Sequence, residues 1–424
     1  VIHARLVAKS DRELQVAVRH DGAQRRLYYR SQEPLWRDEP RTHDFIAVAL
    51  AQFAAAVGDD LVVDGPVTRS QLEHLDEMLQ IWPVWRPRKF QRVSVRATDE
   101  VELPEPGDRA GAAMGFSGGV DASFALAAHH DQLLGRLTRR IDLGVLVVGW
   151  DLRHGDDDAV HRATRSARES LTAYGVTPAV VSTNWQQEFC PAWFLMFNAG
   201  LTAILHTLST QYSCAVHATD VDYRQELVRG PWSSNVAVNH LLGNPWFPVI
   251  STGGTHRRLD RVRHLTQHPQ LLDNLRVCYQ TDAGGANCGI CEKCVRTQLE
   301  LRVVGVHRPA AFAAPLTLER VLATHAKRLP VLHHLEVIAS ATPDDDPWKP
   351  ELERWVERER LELDRSAGGP LTELADLRRE VAALHTQLGA AQQEIDAVHR
   401  SHSWQVTRPL RAAGSLVEHA RGRR

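Results

Sequence analysis

The chain has 424 residues and a formal charge of −2, with 43% hydrophobic and 24% charged residues, so it reads as globular and gives nucleic acid no electrostatic attraction. Its length exceeds one ordinary core and predicts two or three domains. No stretch approaches the 18 apolar residues of a membrane span, and residues 1 to 30 lack the apolar core of a signal peptide, so a cytoplasmic protein is expected.

Residues 2 to 30 alternate with period two (Val16, Val18, then Leu27, Tyr29) and break at His20-Asp21-Gly22, which predicts a hairpin. The spacing turns helical from Asp44 to Val57. Ser70 to Trp85 repeats that pattern, with Leu72, Leu75, Met78, Leu79 and Trp82 on one face. Residues 1 to 105 are expected to form a separate α+β domain, closed by Leu103-Pro104-Glu105-Pro106-Gly107.

From 106 to 305 strand-like and helix-like patterns alternate. Strands are predicted at 111–116, 143–150, 178–183, 213–218 and 247–251, and helices at 121–134, 156–174, 192–211 and 257–267. Such alternation predicts an α/β fold, a parallel sheet with flanking helices and ligands at the carboxyl ends of its strands. Ser117-Gly118-Gly119 is a glycine turn between a strand and a helix, where unpaired N–H groups can converge on a phosphate.

Asp220, Asp222 and Arg224 follow another apolar run and are candidate substrate or metal contacts, against the alternative of solvated loop charges. Arg257, Arg258 and Arg261 can face a phosphate or carboxylate, or simply begin a surface helix. Cys278, Cys288, Cys291 and Cys294 have the spacing of a four-thiolate structural Zn²⁺ site, with an iron–sulfur cluster as the rival. Arg296 is either a donor to a thiolate or a phosphate contact. Cys190 and Cys214 lie among apolar residues and read as small buried hydrophobes.

Residues 306–367 read as a helical extension. Over 371–399, Leu374, Val381, Leu388 and Ile395 take one heptad position and Leu377, Leu384, Ala391 and Val398 the other, predicting a coiled coil and homo-oligomerisation. A single amphipathic helix folded onto its own domain is the alternative. Residues 400–424 are a basic tail.

Ser117-Gly118-Gly119-Val120-Asp121-Ala122-Ser123 resembles the PP-loop of the ATP pyrophosphatase superfamily, of the adenine nucleotide alpha hydrolase-like fold. The resemblance implies that Ser117, Gly118, Gly119, Val120 and Ser123 bind ATP, that Asp121 helps to hold Mg²⁺, and that Ser117 and Asp121 serve catalysis. Gly149 and Trp150 stand where the family lays adenine. Ala122 departs from the family's usual serine and removes a phosphate contact. With the cysteine spacing, the segment from 110 to 305 resembles the 7-cyano-7-deazaguanine synthases. That implies adenylation of a small-molecule carboxylate, pyrophosphate release, and attack by ammonia from solution or from an ammonia-donating partner. Sulfur transfer to a nucleobase or tRNA, with Cys190 or Cys214 as carrier, and an inactive nucleotide-binding scaffold acting through the coiled coil stay open.

Overall fold

Alternation along two central strands decides where the layers lie. In β6 (Ala110–Gly115), Ala113 joins one hydrophobic cluster while Ala112 and Met114 join another on the opposite face. In β7 (Ile141–Val148), Leu143, Val145 and Val147 face the first cluster and Ile141 and Leu146 the second. Strands buried on both faces need helices on both, as parallel sheets do.

The computed structural model describes residues 1–102, 108–229, 231–280 and 284–366. The chain divides into Val1–Val356 and a second unit from Glu357, and the sheet and the sites described below lie in the first. Its other strands are β1 (Ile2–Lys9), β2 (Glu13–His20), β3 (Ala23–Ser31), β4 (Leu61–Thr68), β5 (Val95–Val101), β8 (Thr177–Thr183), β9 (Tyr212–Ala218) and β10 (Val249–Thr252). All belong to one sheet of order β10-β9-β6-β7-β8-β3-β2-β1-β4-β5. The sheet is mostly parallel; among the described residues the antiparallel pairs are β1–β2, β2–β3 and β3–β8.

The expected hairpin joins β2 to β3, with Asp21 and Gly22 at φ 49° and 72°, the positive pair that matches strand twist. The separate N-terminal domain expected over 1–105 is corrected: β3 pairs with β8, Tyr29 opposite Thr183 and Ser31 opposite Val181, so the two sheets are one. Helix α1 (Asp44–Val57) explains why. Its residues from Asp44 to Ala55 are all buried, and a helix that is apolar all round must be covered on every side.

Part of that cover comes from α6 (Trp193–His206), which shares its hydrophobic cluster. Trp185 donates its indole N–H to the α1 carbonyl of Ala49 at 2.8 Å. Trp36 donates to Thr207 Oγ1 at 2.8 Å, and Asn244 donates to the buried carboxyl of Asp44 at 2.8 Å. Helix α2 (Arg69–Trp85) buries the predicted Leu72, Leu75, Met78, Leu79 and Trp82.

On the opposite face lie α3 (Val120–His130), α4 (Asp157–Ala173), α8 (Arg258–Leu265) and α9 (Pro269–Asp273). Short α5 (Trp185–Phe189) and α7 (Tyr223–Arg229) follow β8 and β9, and α10 (Glu292–Val303) leaves the cysteine cluster. The expected helical extension contains α11 (Leu318–Leu322), α12 (Leu329–Ala341) and α13 (Lys349–Ser366). The coiled coil expected over 371–399 and the basic tail lie outside the described residues. Among the described residues no helix is long and apolar enough to cross a membrane.

Candidate functional site

Strand β6 has β7 on one side and β9 on the other, so the loops at their carboxyl ends part and leave a crevice. The Ser117-Gly118-Gly119 turn emerges there and leads into α3. Gly118 takes φ 74°, a region that costs a residue with a Cβ. Gly119 is the N-cap of α3, and no side chain caps the first turn, so its N–H groups keep the partial positive charge of a helix start. Arg276 braces the turn: its N–H donates to Gly118 O at 2.8 Å and its Nε to Ser117 O at 3.1 Å, while its guanidinium pairs with Asp151 at 2.8 Å.

The crevice opens into a cavity of about 640 Å³, a volume suited to a small-molecule ligand. Its lining combines charged and polar residues, Ser117, Gly119, Asp121, Arg258, Arg276 and Lys293, with an aromatic set, Trp150, Trp193, Phe194, Phe197 and Trp232. Phe194 stacks on Trp232 with centroids 4.9 Å apart, and Trp150 meets Trp193 edge-on at 5.2 Å. The indole N–H of Trp150 is buried without a partner.

Asp121 sits at the centre of an ion-pair network. Its carboxylate lies 2.7 Å from Arg261 and 3.2 Å from Arg258, whose Nε donates to the buried Glu300 at 3.1 Å. Burial alone would raise the Asp121 pKa, but Arg258 and Arg261 hold it below the usual carboxylate range. The remaining Arg261 protons go to the carbonyls of Thr219, Val221, Gly253 and His256. Both Asp121 oxygens are therefore committed to guanidinium groups, which makes the expected Mg²⁺ ligand a poor fit. Lys293 faces this network, and burial followed by repulsion from Arg258 lowers its pKa.

Of the residues singled out in the sequence, Ser117, Gly119, Val120, Asp121, Trp150, Asp220 and Arg258 line the cavity. Ser123 does not: it is 1% exposed, on the inner side of α3. Gly149, at φ 107°, has no room for a Cβ, which would fall 2.0 Å from the Thr183 carbonyl oxygen. Asp222 accepts from the N–H groups of Arg224 and Gln225 at 2.9 and 3.2 Å, closing the first turn of α7. Arg224 is exposed and Arg257 is the N-cap of α8, and neither lines the cavity. Arg296 lines it and pairs with Glu292 at 2.6 Å.

Lys293, Arg276, Trp193, Phe194, Phe197 and Trp232 were not singled out from the sequence. Lys293 lies between Cys291 and Cys294 and Arg276 two residues before Cys278, so proximity to the cysteines was the available signal. Trp193, Phe194 and Phe197 share the apolar spacing of a core helix face.

The four cysteines converge, with all four sulfurs within 4.8 Å of one another. Cys278 Sγ lies 3.8 Å from Cys291 Sγ, and Cys288 Sγ 3.9 Å from Cys294 Sγ. Four thiolates about 2.3 Å from one tetrahedral ion stand about 3.8 Å apart, so the set fits a single ion such as Zn²⁺. An iron–sulfur cluster spreads its thiolates over separate irons and needs a wider cage. Gly289, at φ 74°, makes the knuckle turn. Asn287 anchors it, accepting from the N–H of Val277 at 2.8 Å and of Cys278 at 3.1 Å. Cys278 and Tyr279 also line the cavity, which makes the centre part of its wall.

Cys190 and Cys214 lie outside the lining. Burial pushes the Cys190 thiol up to about 12 and also raises Cys214, which disfavours the thiolate a sulfur carrier needs. Comparisons with family models, curated proteins and solved structures found no match to the chain.

Proposed function

We propose that this protein is an ATP-dependent ligase that adenylates a carboxylate, releases pyrophosphate and passes the acyl group to a nitrogen nucleophile. The observation that carries this reading is the glycine turn opening at the strand crevice into a cavity lined by Lys293, Arg258 and Arg276. The likeness of residues 117–123 to a PP-loop supplies the reaction type.

In this reading the first-turn N–H groups of α3 and the Lys293 ammonium meet the terminal phosphates. A substrate carboxylate oxygen attacks the α-phosphorus, and the bond from that phosphorus to the bridging oxygen breaks as pyrophosphate leaves. Ammonia, from solution or a partner, then attacks the acyl carbon and expels AMP. Charge grows on pyrophosphate in the first step, so donors fixed there lower the barrier more than donors to the ground state do. The aromatic lining shields the organic part of the substrates from water. The single-ion cysteine centre is structural, since a closed four-thiolate site has no open position.

Pyrophosphate release is measured with ATP and a panel of carboxylates plus ammonia. Wild type is expected to release it only when both substrates are present, and Lys293→Met to lower the rate about 10²-fold. Carboxylate-independent release, or an unchanged rate in folded Lys293→Met, overturns the assignment.

A further inference from the structure

The helix pair α3 and α8, tied at the cavity by Asp121, meets again at its far end. Asp131 is the C-cap of α3, His264 lies in the last turn of α8, and His268 is the N-cap of α9. Both imidazoles aim Nε2 at one oxygen: His264 and His268 each lie 2.9 Å from Asp131 Oδ2, and the two Nε2 atoms are 3.3 Å apart. We propose that Asp131, His264 and His268 bind a divalent transition-metal ion of the zinc class, with a further coordination position left to water.

Three features carry the assignment. Ligands about 2.0–2.1 Å from a tetrahedral ion stand about 3.3–3.4 Å apart, so the facing nitrogens already have the spacing that an ion requires. Both nitrogens also converge on the same Asp131 oxygen, so three atoms of the zinc-ligand class share one point. The outer nitrogen of one ring is also held, because His268 Nδ1 lies 2.7 Å from the Tyr174 hydroxyl. With Nδ1 donating to Tyr174, the lone pair falls on Nε2 and points at the site, the outer-shell arrangement common to metal-bound histidines.

Exposure fits as well. The His268 side chain is 9% exposed and Asp131 27%, so the nitrogen side is dry and the carboxylate side is open to water and to the arriving ion. Two imidazoles and one carboxylate favour zinc-class ions over Mg²⁺ or Ca²⁺, which prefer all-oxygen shells. The site uses none of the four cysteines and does not depend on the proposed ligase reaction.

The test is zinc stoichiometry on the full chain, stripped with chelator, reloaded and dialysed. Wild type is expected to hold two zinc ions, the His264→Ala/His268→Ala variant one, and Cys291→Ser/Cys294→Ser one. If the double histidine variant does not fold, Tyr174→Phe takes its place, with zinc affinity at the second site expected to fall 10- to 100-fold. Wild type loaded with one equivalent of zinc is then titrated with Co²⁺, which should give the weak visible absorption of a nitrogen and oxygen site without a sulfur-to-metal band. One zinc in wild type, equal stoichiometry in the folded histidine variant, unchanged affinity in Tyr174→Phe, or cobalt absorption that is absent or purely sulfur-derived would each overturn the assignment.

Discussion

The two ends of the α3–α8 pair solve the same problem with different chemistry. At the cavity, Asp121 is held by Arg258 and Arg261, cations that neither lose their protons near neutral pH nor bind metals. At the far end, Asp131 meets two imidazoles, which can bind metals. The difference separates fixed charge from conditional charge: the guanidinium groups keep theirs at the cavity wall, whereas the proposed ion would tighten the outer end.

The largest effect expected from breaking this contrast is at the cavity end. Asp121→Ala leaves buried Arg261 without its carboxylate and Arg258 with Glu300 alone, and should cost about 3–5 kcal/mol, read as a fall in the denaturant midpoint. A loss below about 1 kcal/mol would mean that water reaches the cations. The same substitution is consequently a poor probe of catalysis, because it tests folding first, and Lys293→Met is the cleaner one.

Acid provides the next comparison. Buried His206 and His217 have pKa values pushed down to about 4 and about 3, so the unfolded chain takes up protons below about pH 6.5 that the folded chain refuses. Stability therefore falls as pH drops from about 6.5 towards those values. Asp44, pushed up to about 6, acts in the opposite direction: the folded chain keeps its proton, so stability rises as pH falls from about 6 to about 4. With His129, whose pKa burial also lowers to about 4, the histidine displacements are together the larger, and a net loss of about 4 kcal/mol is expected between pH 7 and 5. Asp121, with its lowered pKa, keeps its contribution until pH falls below the ordinary carboxylate range. Equilibrium unfolding across pH checks the slope, which should flatten in His217→Gln.

The smallest expected effect returns to the glycine turn. Ala122 lines the cavity, and Ala122→Ser would restore a hydroxyl beside the proposed phosphate position. ATP binding should tighten about five-fold, worth about 1 kcal/mol, as measured by calorimetry. Unchanged affinity would place the phosphates elsewhere in the cavity.

Much of this was legible in the local sequence. The hairpin at Asp21-Gly22 was, because only a few residues accept two positive φ values in succession. The strands and helices from 110 to 265 were too, since they follow apolar periodicity. The cysteine centre followed from spacing, because a tetrahedral ion sets narrow limits on its ligands. Arg258 was expected to face an anion, and it does, but the anion is Asp121, 137 residues away along the chain. The β3–β8 pairing was not legible: a backbone ladder between Tyr29 and Thr183 carries no side-chain code for its partner. Asp222 and Arg257 read as site charges, yet they begin helices, a use that the same residue types serve equally well.

By itself, then, the sequence determined the glycine turn, the alternating α/β core and the metal-class cysteine knuckle, because glycine conformation, apolar period and ligand spacing are local properties. Only the tertiary structure decided that one sheet runs through both halves, that Asp121 is spoken for by two arginines, and that Asp131 meets His264 and His268. Those outcomes depend on which distant charges and faces are brought together, and that is settled by burial in three dimensions.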